Sequence, residues 1–220
     1  MSVRAVLRLA SWLVLFVILE PISPHAEQQT PGAAAEAESH LTPEEKAERA
    51  SRQACKITIC AALHNRKPEG GDIACKLTNK WHKEQVERFV SKVKMPWRWG
   101  RVKCAADIKM KREMLNRAMT EPKFEAVLDP HSVACEVERD KGTADVKFEV
   151  TPRVAFEHGK AVRAAVNWGH IAAPVPIKGP MWAAAATDNT FNLLESTLLR
   201  DINDFIEKKC LDVKDEWQGR

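Results

Sequence analysis

The chain has 220 residues, 45% hydrophobic and 29% charged, with a formal net charge of +4. Only one long apolar run occurs, at the extreme N-terminus, so no further segment is apolar enough to span a membrane. The modest charge argues neither for nor against a polyanionic partner, and no recognised nucleic-acid motif is present.

Residues 1–26 read as a secretory signal. Arg4 and Arg8 supply the positive start, and Leu9–Leu19 form an apolar core of 11 residues that ends at Glu20-Pro21. A membrane-spanning helix needs about 20 such residues, whereas this length suits a signal core. Ala26 is the best cleavage position, although Pro24 stands where Ala is usual. Removing the segment takes away Arg4, Arg8 and Glu20 and leaves a net charge of +3. Residues 27–41 hold almost no large apolar group and read as a flexible lead-in. Residues 42–220 form one domain.

Thr42-Pro43-Glu44-Glu45 is a helix start, with Thr42 as cap, Pro43 in the first turn and Glu45 completing a capping box. The helix is predicted to reach about Leu63. Within it, Cys55–Cys60 (CKITIC) is equally compatible with a short strand. Asp72–Leu77 is a short strand, and 79–93 a helix with Trp81, Val86, Phe89, Val90 and Val93 on one face. Lys94–Gly100 breaks the pattern, and Arg101–Met110 then alternates strictly, as a half-buried strand does.

A short helix around Arg112–Met119 precedes Lys123–Leu128, where a second helix is expected. Val133, Cys135 and Val137 alternate, as do Val146, Phe148 and Val150, with Asp140-Lys141-Gly142 as the turn between them. The period restarts at Val154 and Phe156 after Pro152, which puts a bulge or an edge there. Glu157-His158-Gly159-Lys160 closes a hairpin, and Val162, Ala164, Val166 and Trp168 alternate afterwards. Residues 172–186 read as a Pro/Gly-rich loop. Asp188 or Asn189 caps a final helix to about Lys209, with Phe191, Leu194, Leu198, Ile202, Phe205 and Ile206 on its apolar face. The predicted class is α+β: an antiparallel meander covered by a long C-terminal helix, with further helices on the N-terminal side.

All six cysteines (Cys55, Cys60, Cys75, Cys104, Cys135, Cys210) follow the signal. An even number of thiols in an exported chain reads as three disulfides. There is no Cys-x-x-Cys and no four-ligand zinc spacing, so neither redox chemistry nor a metal site is indicated. On a helix Cys55 and Cys60 point about 140° apart, so each reaches elsewhere, and Cys210 is a candidate partner for one of them. Fifteen connectivities remain open.

Lys92–Arg117 concentrates nine basic residues against Asp107 and Glu113. Trp97, Arg98, Trp99, Arg101 and Lys103 within it are the candidate binding residues. Cations would attract an anionic envelope polymer or lipid headgroup, and the indoles would add stacking or interfacial contact. The plainer alternative is a solvated strand face paired with the acid-rich stretch 120–149. A second candidate is an apolar pocket between sheet and last helix near Trp168-Gly169-His170 and Met181-Trp182, suited to a small hydrophobic ligand. A hydrolase assembled from distant residues around His170 is the third. No Gly-x-Ser-x-Gly elbow, His-x-His or His-Glu-x-x-His spacing supports it, and no cofactor or catalytic residue is nominated.

Ala54-Cys55-Lys56-Ile57-Thr58-Ile59-Cys60-Ala61-Ala62-Leu63 and Trp97-Arg98-Trp99-Gly100-Arg101-Val102-Lys103-Cys104 resemble exported cysteine-containing proteins of Gram-negative bacteria that have no characterised activity. The resemblance implies a periplasmic or secreted address and carries no ligand or site with it. The sequence therefore points to a non-enzymatic exported binding protein, with a hydrophobic-ligand carrier or a hydrolase as alternatives.

Overall fold

The computed structural model describes residues 41–66 and 70–218. The expected signal and the lead-in up to residue 40 lie outside them. Helix α1 (Pro43–His64) starts at the expected capping box: Glu45 N–H donates to Thr42 Oγ1 at 3.2 Å, and Thr42 N–H donates to Glu45 Oε2 at 3.0 Å. The CKITIC stretch is helical, so its two cysteines diverge. Cys55 bonds Cys75, Cys60 bonds Cys210, and Cys104 bonds Cys135.

Five strands, β1 (Ile73–Trp81), β2 (Val102–Met110), β4 (His131–Glu138), β5 (Thr143–Val150) and β8 (Trp168–Ala172), form one antiparallel sheet in the order β1-β2-β4-β5-β8. Their alternation follows from one buried face, because a strand's side chains point to opposite sides in turn. Val102, Cys104, Ala106 and Ile108 of β2 face inward, beside Val133, Cys135 and Val137 of β4 and Val146, Phe148 and Val150 of β5. Edge strand β1 has α1 laid along it. Ser51 Oγ donates to the Lys76 carbonyl at 2.7 Å and Arg52 to the Thr78 carbonyl at 2.9 Å, which covers groups that an open edge would offer to another chain.

A second sheet, β3 (Lys123–Val127) with β6 (Arg153–Glu157) and β7 (Lys160–Ala165), has the order β3-β6-β7. It is the far half of a long bent hairpin whose near half is β5 and β8. The bend falls at Pro152, which has no N–H to give, and at Asn167, whose φ of 51° is left-handed. Asn167 holds the bend together: Thr151 N–H donates to its carbonyl at 3.0 Å, and its amide donates to the Thr151 carbonyl at 2.9 Å. The tip is the expected two-residue turn, with His158 at φ 51° and Gly159 at 79°. Both values are left-handed, as a type I′ turn requires.

The α+β class holds, and several boundaries move. Helix α2 (Lys83–Val90) begins later than residue 79, because Asn79–Trp81 continue the ladder of β1 against β2. Helix α3 (Arg112–Thr120) is as read, but Lys123–Val127 is a strand and not a second helix; Phe124 pairs with Phe156 across it. A bulge between Ala155 and Phe156 shifts the phase of β7, so Ala161 is buried and Val162 is exposed, against the expected alternation.

The largest correction is at 172–186. The predicted loop is most of a helix, α4 (Val175–Phe191). Pro174 and Pro176 sit at its start, where proline fits because the first helical N–H groups have no intrahelical partner. The expected single helix 188–209 is correspondingly divided. Asn192, at φ 49°, ends α4; α5 (Glu195–Asp204) follows, then a π-turn over Phe205–Lys209. The inner sheet face is thus covered at one end by α2 and α4, while α5 packs on β7. Asn203 of α5 grips the Ala161 backbone from both sides, at 2.9 and 3.0 Å. Beyond Cys210 the chain returns to the end of α1 through α6 (Lys214–Trp217). There Trp217 stacks on His64 at 4.9 Å and donates its indole N–H to the Cys210 carbonyl at 2.7 Å.

Candidate functional site

The five nominated binding residues fall on one loop and the start of β2, but they do not form one free surface. Arg101 forks onto Glu138 through Nε at 3.2 Å and a second guanidinium nitrogen at 3.3 Å. That hydrogen bonding raises the guanidinium and holds the Glu138 carboxyl below the usual carboxylate range. Gly100 N–H donates to the Glu138 carbonyl at 2.9 Å, and a side chain at Gly100 would meet the Glu138 carboxylate at 2.6 Å, so it would displace that carboxylate from Arg101. Lys103 Nζ lies 2.8 Å from Glu44 and 3.3 Å from Glu48, both on α1. The Glu44 carboxyl is lowered by the Lys103 hydrogen bond, and the Lys103 ammonium is raised by it.

Elsewhere in the basic segment, Lys92 turns inward. Its ammonium donates to the buried Thr197 hydroxyl at 3.0 Å, and burial lowers its pKa. Arg117 pairs with Glu121 at 2.6 Å and stacks over Phe124. Three of the nine cations, Arg101, Lys103 and Arg117, are thus ion-paired within the fold, two by the acidic stretch 120–149 and one by α1. Arg98 and Lys94 are exposed and have no ion pair among the described residues.

Trp97 points the other way, toward the core. Its indole N–H donates to the Gly100 carbonyl at 3.1 Å, and its ring meets Trp99 edge-on at 4.9 Å. Trp97 is one wall of a half-open cavity of about 130 Å³ between the sheet and its helical cover. The sheet contributes Val102, Cys104, Cys135, Val137, Val146 and Phe148, with the Cys104–Cys135 bridge in the floor. Val86, Phe89 and Val90 come from α2, Met95 from the following loop, and Met181, Ala184 and Ala185 from α4. The sequence stripe Trp81, Val86, Phe89, Val90 and Val93 lines it in full, although Trp81 arrives on β1 and not on the helix.

Trp168 closes one side of this cavity, and its position is fixed from α4. Asp188, only 3% exposed, accepts the Trp168 indole N–H at 2.9 Å through one oxygen and the Leu194 N–H at 3.0 Å through the other. Asn189 clamps the Trp168 backbone with two bonds, at 2.8 and 2.9 Å. A buried carboxylate with both oxygens satisfied is stable only while both donors stay in place, so it locks the tryptophan, the end of α4 and the start of α5 together.

Trp168 and Met181 of the second candidate site do line the cavity, whereas Trp182 is 65% exposed and His170 lies on the exposed side of β8. No part of the cavity wall offers a nucleophile beside a base; apart from Gln85 its side chains are apolar, aromatic or sulfur-bearing. What such a wall can do is exclude water and hold an apolar group through dispersion and soft sulfur and ring contacts. Comparison of the chain with protein-family models, curated proteins and solved structures finds no match in any of the three.

Proposed function

We propose that this is an extracytoplasmic, non-enzymatic binding protein whose ligand places a small apolar group in the cavity between the sheet and helices α2 and α4. The observation that carries the reading is the wall itself: a half-open space of about 130 Å³ lined by tryptophan, phenylalanine, methionine and aliphatic side chains. An engineered apolar cavity of about 150 Å³ stays dry and takes up benzene. The space here suits one aromatic ring, a short branched alkyl group, or the end of a longer amphiphile. Three disulfides and no unbonded cysteine support an oxidising compartment, in keeping with the N-terminal signal reading.

The test is thermal denaturation of the disulfide-intact protein with toluene, cyclohexane or naphthalene. A ligand that binds only the folded state raises Tm with its concentration. The wild type should respond, and Ala185→Phe, which fills the cavity from α4, should not. Ala184→Leu is the milder filler and should respond weakly. A wild type whose Tm ignores all three compounds, or an Ala185→Phe protein that responds as the wild type does, would sink the reading.

A further inference from the structure

Helix α4 is apolar on two sides, and the cavity uses only one of them. At 100° per residue, Ile177, Met181, Ala184 and Ala185 gather toward the sheet. Val175, Gly179, Trp182 and Ala183 gather on the opposite side, where Val175 is 86% and Trp182 65% exposed. A helix on a protein surface ordinarily turns polar residues to water. Here the one ionisable residue between 172 and 187 is Lys178.

Helix α4 packs against the turn Ser91–Val93, and the segment from Ser91 to Ala106 contains no acidic residue either. Two acid-free segments thus meet beside the cavity. They present Lys94, Arg98 and Lys178, all exposed and without an ion pair among the described residues. Arg101 and Lys103, held by glutamates, are not part of this set.

We propose that this face of α4 seats on an anionic phospholipid bilayer. Trp182 and Val175 enter the headgroup boundary, and Lys94, Arg98 and Lys178 contact the phosphates. Two features favour a bilayer over a protein partner. Three exposed cations and no acid on the two segments that meet here suit an anionic interface, where indoles such as Trp182 concentrate. The apolar face is also small: a stable protein interface buries about 800 Å² on each side, far more than Val175 and Trp182 can supply. No helix among the described residues is long and apolar enough to cross a membrane, so the contact is peripheral. Docking itself is independent of the cavity. Its use, which is to bring the cavity beside lipid through the helix that walls it, rests on the binding reading above.

The experiment is co-sedimentation of the disulfide-intact protein with phosphatidylglycerol–phosphatidylcholine vesicles, against pure phosphatidylcholine. The wild type should bind the anionic vesicles, lose binding as salt rises, and show tryptophan quenching by bromine-labelled lipid. Lys94→Gln, Arg98→Gln and Lys178→Gln together should lower partitioning roughly a hundredfold, from about fivefold per cation. Val175→Ser with Trp182→Ser should lower it at least roughly tenfold, and Trp182→Phe should remove most of the quenching. A wild type that ignores anionic vesicles overturns the proposal, and so does a Val175→Ser, Trp182→Ser protein that still binds them. Concentration-dependent dimerisation abolished by that double variant, without vesicle binding, would make the occupant a second copy and overturn it equally. The toluene response, measured on the same variants, should be unchanged. It shows that they are folded and keeps a failure of docking separate from a failure of the cavity.

Discussion

Asp188 ties two parts of the site together. Its two oxygens hold the Trp168 indole and the first free N–H ahead of α5. Asp188→Ala strands both donors in an apolar interior, which costs about 1–3 kcal/mol for each group left unpaired. We expect a loss of about 3 kcal/mol in urea denaturation and a weakened toluene response, because Trp168 is then free to turn into the cavity. Asp188→Asn keeps one acceptor and should recover about half of the stability. A loss of under about 0.5 kcal/mol in the alanine variant, the range of a plain surface change, would show that the bracket does not hold the wall. The sequence offered Asp188 as a helix cap, and it does serve a helix start, but six residues ahead of the N–H it receives. Nothing in local spacing marks that bond or the one to Trp168. The basic segment has the same difficulty. Nine cations can be counted from the sequence, whereas the Lys103 partners Glu44 and Glu48 are more than fifty positions away and become neighbours only once α1 lies along β1.

Among the elements, β2, β4 and β5 were legible because each buries a single face. The pattern of their side chains then states both the element and its orientation. β7 was half-legible, since the bulge at Ala155/Phe156 reverses its phase midway. Helix α4 was hidden by its own composition. Three prolines and a glycine between 174 and 180 read as a loop, yet Pro174 and Pro176 sit where a helix start has no use for their N–H groups, and only Pro180 lies inside. Pro180 gives no hydrogen bond back to the Pro176 carbonyl, so the first turns of α4 rely on Ile177, which is fully buried, more than on backbone bonding. Those turns lead into Met181, the first residue of α4 on the cavity wall, and so form the edge beside it. Pro180→Ala should restore the missing donor and slow amide hydrogen exchange over the first half of α4 by about tenfold, within what an interior proline costs a helix. Toluene release should slow with it if this edge is the door. Unchanged exchange would place the weakness of α4 elsewhere.

At the scale of the whole molecule, the three bridges differ in how much chain they close. Cys55–Cys75 spans 20 positions, Cys104–Cys135 spans 31 and Cys60–Cys210 spans 150. In the chain-entropy model these correspond to about 3, 4 and 5 kcal/mol, against a typical domain stability of about 5–15 kcal/mol. Cys60–Cys210 has a second role, because it fixes the end of the C-terminal helices to the end of α1. His64–Trp217 stacking and the Asn65 and Trp217 hydrogen bonds depend on that closure. Cys60→Ala with Cys210→Ala should therefore lower stability most and should expose Trp217, seen as red-shifted fluorescence and lost exchange protection over 205–217. Cys104→Ala with Cys135→Ala should cost less, since the same residues are already held opposite each other in the β2–β4 ladder; its more specific effect is on the cavity floor, where two truncated side chains enlarge the space and shift the response from toluene toward naphthalene. If Cys55→Ala with Cys75→Ala proves the costliest pair, loop length is not what ranks the bridges, and the docking of α1 along the edge of β1 is the larger contribution to the fold.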